Sequence, residues 1–249
     1  MDEKKTLRLD RLISSQSSLS RNDVKKAVSQ GRVTVNGAVT TKSDYKVNPE
    51  SDHVSLDGQS IEYAKYLYIM MNKPPGVLSA SRDKWDKTVI DLLPEEMRAR
   101  ELFPAGRLDK DTTGFVLLTD DGGFAHRILS PKSHISKTYE AIIDRPLTGR
   151  DIRQFEEGMV LADGTTLLPA IVTTLPPHGD TQIVEIILRE GKYHQIKRMI
   201  GAIGARLILL KRTKIGGLEL DKSLKEGDAR IILHNEIELL LCNSLDRNP

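Results

Sequence analysis

The chain has 249 residues, 39% of them apolar and 29% charged, and its 37 basic residues stand against 35 acidic ones for a net charge of +2. Such a length accommodates one large domain or a small one joined to a larger one, and the composition excludes a disordered or fibrous chain. The uninterrupted apolar run Leu67 to Met71 falls far short of the ~20 residues a membrane-spanning helix needs, and the polar start MDEKKT carries no signal-peptide core. A single cysteine, Cys242, can form neither an internal disulfide nor a cysteine-rich zinc site, so a cytoplasmic protein with no membrane attachment is expected.

In chain order, Leu7, Leu9, Leu12 and Ile13 recur at helical spacing. Ser20 then reads as the N-cap of a second helix over Arg21 to Gln30, with Val24, Ala27 and Val28 on one face. Gly31 ends it. The β-rich run from Arg32 to Val35 closes on Asn36-Gly37, a strong hairpin signal, and Val54 to Leu56 runs into another turn at Asp57-Gly58. A polar link at about 62–65 leads to a buried strand over Leu67–Met71, which Asn72-Lys73-Pro74-Pro75-Gly76 breaks as a proline-fixed turn. Further strands are expected at Phe115–Thr119, Lys137–Ile143, Leu168–Thr174, Thr181–Leu188 and Arg206–Leu210. Helices are expected near Val89–Leu93, Phe124–Leu129, Thr148–Glu157 and His194–Ile203. Strand pairs without a βαβ rhythm point to an α+β protein with a mixed sheet.

Charge is segregated along this chain. Between Ile187 and Gly217 eight basic residues face the lone Glu190, a local balance of +7 that leaves −5 for the remainder. One basic stripe on a slightly acidic body is an electrostatic footprint for a polyanion, although a solvated face would read the same way.

Phosphate-loop, HExxH and GxSxG signatures are all lacking, and the six histidines are scattered. The candidate site is instead the polar stretch Ala105-Gly106-Arg107-Leu108-Asp109-Lys110-Asp111-Thr112-Thr113-Gly114, which feeds the apolar run Phe115 to Leu118. Taken alone, Asp109 passes for a turn carboxylate, Tyr139 for a buried aromatic and Lys197 for a solvent-facing helix residue. Asp120-Asp121-Gly122-Gly123 reads as a turn and helix entry.

Two resemblances sharpen this reading. Arg8-Leu9-Asp10-Arg11-Leu12-Ile13, Ser20-Arg21, Lys25-Lys26 and Gly31-Arg32-Val33-Thr34-Val35-Asn36-Gly37 resemble the S4 RNA-binding domain over about residues 6–62. The resemblance implies that Arg21, Lys25, Lys26 and Arg32 contact structured RNA, largely through phosphates. Ten basic and nine acidic residues through Glu62 fit an auxiliary grip.

The run GRLDKDTTGFVLLTDDG, together with Asn72-Lys73-Pro74-Pro75-Gly76, Lys137-Thr138-Tyr139 and Glu190-Gly191-Lys192-Tyr193-His194-Gln195-Ile196-Lys197-Arg198-Met199, resembles the RsuA/RluB family of ribosomal RNA pseudouridine synthases over residues 66–240. This resemblance implies an S4-like module at 1–62 and a catalytic domain at 66–249, built on a mixed, mainly antiparallel sheet with flanking helices. It assigns Asp109 as the catalytic carboxylate, Tyr139 as the residue that stacks on the uracil and helps remove its C5 proton, and Lys197 as the cation that holds Asp109 charged and aimed. Lys197 stands where most of the wider superfamily has Arg. Arg107 would fill the space left by the flipped uridine, while Lys192, His194, Gln195 and Arg198 would bind RNA. The +7 segment would hold the flanking phosphates, so neutralising Lys211, Arg212 and Lys214 is expected to weaken the salt dependence of binding.

No cofactor, nucleotide or metal is expected. The partner is ribosomal RNA, in a partly assembled small subunit, acted on by a monomer. GRLDxDTTG, KTY and GKYHQIKRM are most similar to members acting on the 516 site of 16S rRNA, and the chain lacks the long basic C-terminal extension of some large-subunit members. The alternatives are a large-subunit (23S) synthase and, from another class, a non-catalytic ribosome assembly factor, against which intact Asp109 and Tyr139 argue.

Overall fold

The computed structural model describes residues 6–17, 19–177 and 179–242. The polar start and the Asp246–Pro249 end therefore lie outside the described residues. The chain divides into two compact units, one running to Leu67 and regaining 93–102, the other formed by 68–92 and the residues from Phe103 onward. The expected boundary at 62–65 leaves 93–102 with the second unit. Instead Arg100 donates to the carbonyls of Ala64 at 2.7 Å and Lys65 at 2.6 Å, binding this segment to the first.

In the first unit, helices Leu9–Gln16 and Arg21–Ser29 bury Leu9, Leu12, Ile13, Val24 and Val28 against the strand residues Val33 and Val54. Ser20 caps the second helix, its hydroxyl accepting from the Asp23 amide at 3.2 Å. Four short antiparallel strands follow in the spatial order Ala38–Val39, Val33–Val35, Val54–Leu56, Gln59–Ile61. Their two-residue turns hold Asn36-Gly37 at φ 52° and 79° and Asp57-Gly58 at φ 51° and 79°, the left-handed pairs that a tight hairpin requires.

The second unit is a mixed, mainly antiparallel sheet in an α+β arrangement. Its strands lie in the order Ile171–Thr174, Gln182–Leu188, Lys137–Ile143, Leu207–Ile215, Thr113–Thr119, Tyr68–Lys73, Ala229–Ile231. Every neighbouring pair is antiparallel except Leu207–Ile215 with Thr113–Thr119, where Lys211 aligns with Thr113 and Arg212 with Gly114. Covered on both faces, Thr113–Thr119 is buried throughout, which explains the apolar run Phe115 to Leu118 at its centre. Helices Gly149–Glu157 and Gln195–Ala202 pack Phe155, Ile196, Met199 and Ile200 against Ala141, Ile143, Val184 and Ile186. Helix Gly122–Leu129, capped by Asp121, packs Phe124, Ala125 and Ile128 against Met70, Phe115 and Leu117.

Three expectations differ from this. Val89–Leu93 is not helical, because the Asp91 carboxylate accepts from both the amide and the hydroxyl of Thr88 and Pro94 disfavours helical geometry at Leu93. Leu168–Thr174 is shortened to Ile171–Thr174, and the strand begun at Leu207 runs on to Ile215 through Lys211, Arg212 and Lys214. No described helix is long and apolar enough to cross a membrane.

Gly114 permits the parallel contact. It sits at φ 97°, and a Cβ there would lie 2.2 Å from the Arg212 carbonyl oxygen. Gly114→Ala should therefore cost about 3 kcal/mol or more in urea denaturation, combining backbone strain with a clash against main chain. Gly204→Ala, at φ 73° but with open space around it, should cost about 1 kcal/mol. Equal stability of the two variants would contradict the parallel pairing.

Candidate active site

Asp109 lies in the loop that enters Thr113–Thr119, and main-chain and side-chain bonds hold this loop from several sides. The Leu108 amide donates to Ser79 Oγ at 3.1 Å, the Thr112 amide to the Asp109 carbonyl at 3.1 Å, and the Gly76 amide to the Lys110 carbonyl at 2.7 Å. The central brace is Lys73. Its side chain is fully buried, and Nζ donates to the carbonyls of Pro74, Lys110 and Thr112 at 3.0, 3.1 and 2.9 Å. A proline-fixed turn was expected here, and the lysine does more, since it binds the strand end to both sides of Asp111. Burial pushes its ammonium down to about 8, against the opposing pull of Asp111 and Asp109.

Asp109 faces Lys197 and His194. Its carboxylate lies 3.1 Å from Lys197 Nζ and 3.4 Å from His194 Nε2. Lys197 is shared, for Asp111 Oδ1 stands 2.6 Å from the same nitrogen. Burial alone would lower the Lys197 ammonium, but Asp111 and Asp109 outweigh it and raise it, while the hydrogen bond from Lys197 lowers Asp111. Asp111 was not singled out by motif reasoning, although its position two residues after Asp109 was in plain view.

Helix Gln195–Ala202 and its N-cap supply these two groups through an unusual start. His194 caps it in the left-handed region, at φ 47° and ψ 36°, which turns the imidazole toward Asp109 and stacks it on the Tyr193 ring at 3.8 Å. One helical turn on, Ile196, Met199 and Ile200 anchor the helix, leaving Lys197 on the side that faces the cleft. Tyr139 comes from the Lys137–Ile143 strand, which also sends Ala141 and Ile143 to the same face. Lys137, at its start, donates to the carbonyls of Ile128 and Ile135 at 3.0 and 2.7 Å, and burial brings its ammonium to about 8.

Arg107, Asp109, Tyr139, Lys192, His194, Gln195 and Lys197 thus line one open cleft. Arg107 is exposed and enters no hydrogen bond or ion pair among the described residues. Other residues expected to bind RNA are engaged within the protein. Gln195 is 4% exposed, accepting from the Lys192 amide at 3.0 Å and donating to Glu190 at 2.9 Å. Lys192 donates to the Thr166 carbonyl, and Arg198 pairs with Asp163. In the first unit Arg21, Lys25, Lys26 and Arg32 are all exposed, but Arg32 forms a two-pronged pair with Asp57 and Lys26 lies 3.7 Å from Asp23.

The basic stripe is not one surface. Arg212 is 4% exposed and donates from Nε to the Phe115 carbonyl at 2.7 Å, so it is a structural group. Lys211 and Lys214 line a separate cavity with Thr138 and Glu140, whose side chains alternate with Tyr139 and leave by the opposite face of the sheet. The expectation that Lys211, Arg212 and Lys214 form a phosphate-binding face is corrected accordingly. Among the described residues no group of three or more His, Cys, Asp or Glu side chains is placed to hold a metal.

Residues 67–202 match the RNA pseudouridylate synthase family model, and residues 7–54 match the S4 domain. The chain is 42% identical over 235 residues to an uncharacterized RNA pseudouridine synthase, YtzG, of Bacillus subtilis, covering 94% of this chain and 98% of that protein. It is 39% identical over 233 residues to ribosomal small subunit pseudouridine synthase A of Escherichia coli K12, covering 93% and 98%. A crystal structure of a pseudouridylate synthase superposes with a TM-score of 0.65 at 36% identity, covering 94% of this chain and 99% of that one.

The Lys73 brace makes a direct prediction. Lys73→Met should lower stability by about 2–4 kcal/mol at pH 7, because three buried carbonyls lose their donor. Below about 8 both folded and unfolded chains carry the Lys73 proton and the burial cost is complete; between there and the ordinary 10.5 only the unfolded chain keeps it, so the cost falls as pH rises. The stability advantage of wild type over Lys73→Met in urea melts should therefore widen from pH 8 to 10, and a constant or shrinking gap would contradict the assignment. With an S4 domain, a pseudouridylate synthase model spanning more than half its length and full-length relatives of the same activity, the chain belongs to the RNA pseudouridine synthase family and is an isomerase that acts on RNA.

Proposed function

We propose that this enzyme isomerises one uridine of small-subunit (16S) ribosomal RNA to pseudouridine, with Asp109 as the reacting carboxylate. The observation that carries the reading is the position of Asp109, between Lys197 and His194 and in the same cleft as Tyr139. Similarity to the Escherichia coli small-subunit enzyme along nearly its full length supports the choice of RNA.

The reaction breaks the bond from N1 of uracil to ribose C1′, turns the base and joins C5 to C1′; the C5 proton leaves and N1 gains one. No redox change or group donor is required. Asp109 serves either as the nucleophile at C1′ or as the base that opens a glycal route. Lys197 holds the carboxylate from one side, as a compact charge without the bidentate fork of an arginine, and Asp111 fixes Lys197 in turn. Tyr139 packs against the base, and its phenolic oxygen takes up the C5 proton as it releases its own to solvent.

A stacked uridine is out of reach, so it must be flipped at a cost of a few kcal/mol. Arg107, exposed at the cleft, fills the vacated space with its planar guanidinium. The S4 residues Arg21 and Lys25 provide a second grip on RNA phosphates, with Lys26 and Arg32 partly committed to Asp23 and Asp57.

Wild type should convert one uridine in deproteinised or partly assembled small-subunit RNA, read by pseudouridine mapping. Asp109→Asn should lose turnover while keeping RNA affinity within about threefold, since one carboxylate contributes no favourable contact to a phosphate chain. Modification confined to large-subunit RNA would move the target while keeping the chemistry, and binding without any modification would favour an assembly factor. Lys197→Met should lower kcat at least about 100-fold with KM little changed, Lys197→Arg should restore part of it, and Asp111→Asn should cost less than about tenfold.

A further inference from the structure

The only tryptophan of the chain, Trp85, is 84% exposed. A large apolar ring left in solvent forgoes the burial that normally accounts for its use, and tryptophan is enriched where a partner supplies that burial. Its loop is built to hold it there. The Asp83 carboxylate accepts from the amides of Trp85 and Asp86, both at 2.9 Å, and the loop base closes through Leu78 to Lys87 and Val89 to Leu78 at 2.9 Å. Lys84 Nζ lies 4.7 Å from the centre of the indole ring, which fixes the side chain from one face and leaves the other open.

The same loop is tied to the Asp109 loop at two points, by Lys110 to Asp86 at 2.8 Å and by the Leu108 amide to Ser79 at 3.1 Å. Chain geometry through the Lys110–Asp86 pair keeps the α-carbons of Trp85 and Asp109 within roughly 20 Å. Arg82 and Lys87 are exposed and join no ion pair among the described residues. A flat ring flanked by cations suits a nucleobase with its phosphates better than an apolar protein surface.

We infer that Trp85 is a stacking platform for an unpaired base of the substrate RNA close to the target uridine, with Arg82, Lys84 and Lys87 meeting its phosphates; this rests on the RNA-modifying reading above. Because Trp85 is the sole tryptophan, its fluorescence reports the contact without labels. Titrating wild type with a small-subunit rRNA transcript should quench the emission by half or more, whereas heparin, a polyanion without bases, should not. Trp85→Ala should weaken affinity for the same transcript roughly tenfold, and Trp85→Phe should stay within about threefold of wild type. Unchanged fluorescence on an RNA that wild type modifies, equal quenching by heparin, or full affinity of Trp85→Ala would overturn the inference and turn Trp85 toward a protein partner. Quenching by an RNA that wild type leaves unmodified would instead overturn the functional reading and keep the platform.

Discussion

One buried ammonium group gives the Asp109 loop its shape. Loops of this polarity ordinarily satisfy their carbonyls with water, and a loop so arranged moves. Lys73 replaces that water with three fixed donors from the end of strand Tyr68–Lys73, so the peptide groups on both sides of Asp111 are held to the sheet. Burying the charge is costly, as its depressed pKa indicates. On the proposed reading the cost is tolerated because Asp109, as the reacting carboxylate, must stand at one position relative to groups from a different part of the chain.

Those groups arrive by the one parallel strand pairing in the sheet among the described residues. Thr113–Thr119 follows the Asp109 loop, while Leu207–Ile215 follows the helix that carries Lys197. Setting the two strands side by side and parallel places the segments that precede them at the same end. Gly114 makes the approach possible, and His194, in left-handed geometry, turns the helix entry toward the carboxylate. Lys197 then bridges Asp109 and Asp111, so the cation is oriented by a second carboxylate that lies mostly in solvent. Position is what this arrangement supplies.

Much of this was legible in the sequence where local physics decides the outcome. The strand Lys137–Ile143 alternates and forms with the expected ends, Ser20 caps its helix, and Asn36-Gly37 and Asp57-Gly58 turn as their types demand. Asp109, Tyr139 and Lys197 were placed by motif resemblance, and they meet in one cleft. What escaped depends on contacts distant in sequence. A lysine at the end of an apolar strand reads as a surface charge until Lys110 and Thr112 are seen to surround it. Lys211, Arg212 and Lys214 read as one basic patch, yet a strand sends neighbours to opposite faces, and Arg212 ends buried on Phe115. The same three residues masked the second half of their strand, because the apolar pattern stops where the charges begin.

In the proposed reaction Asp109 is the group that reacts. Rejoining the base through C5 must release the hydrogen at that carbon, so small-subunit rRNA labelled with tritium at uridine C5 gives a direct readout. Wild type should release tritium to water up to one equivalent per RNA, and Asp109→Asn should release none while still binding. Release by Asp109→Asn at the wild-type rate would contradict the central claim.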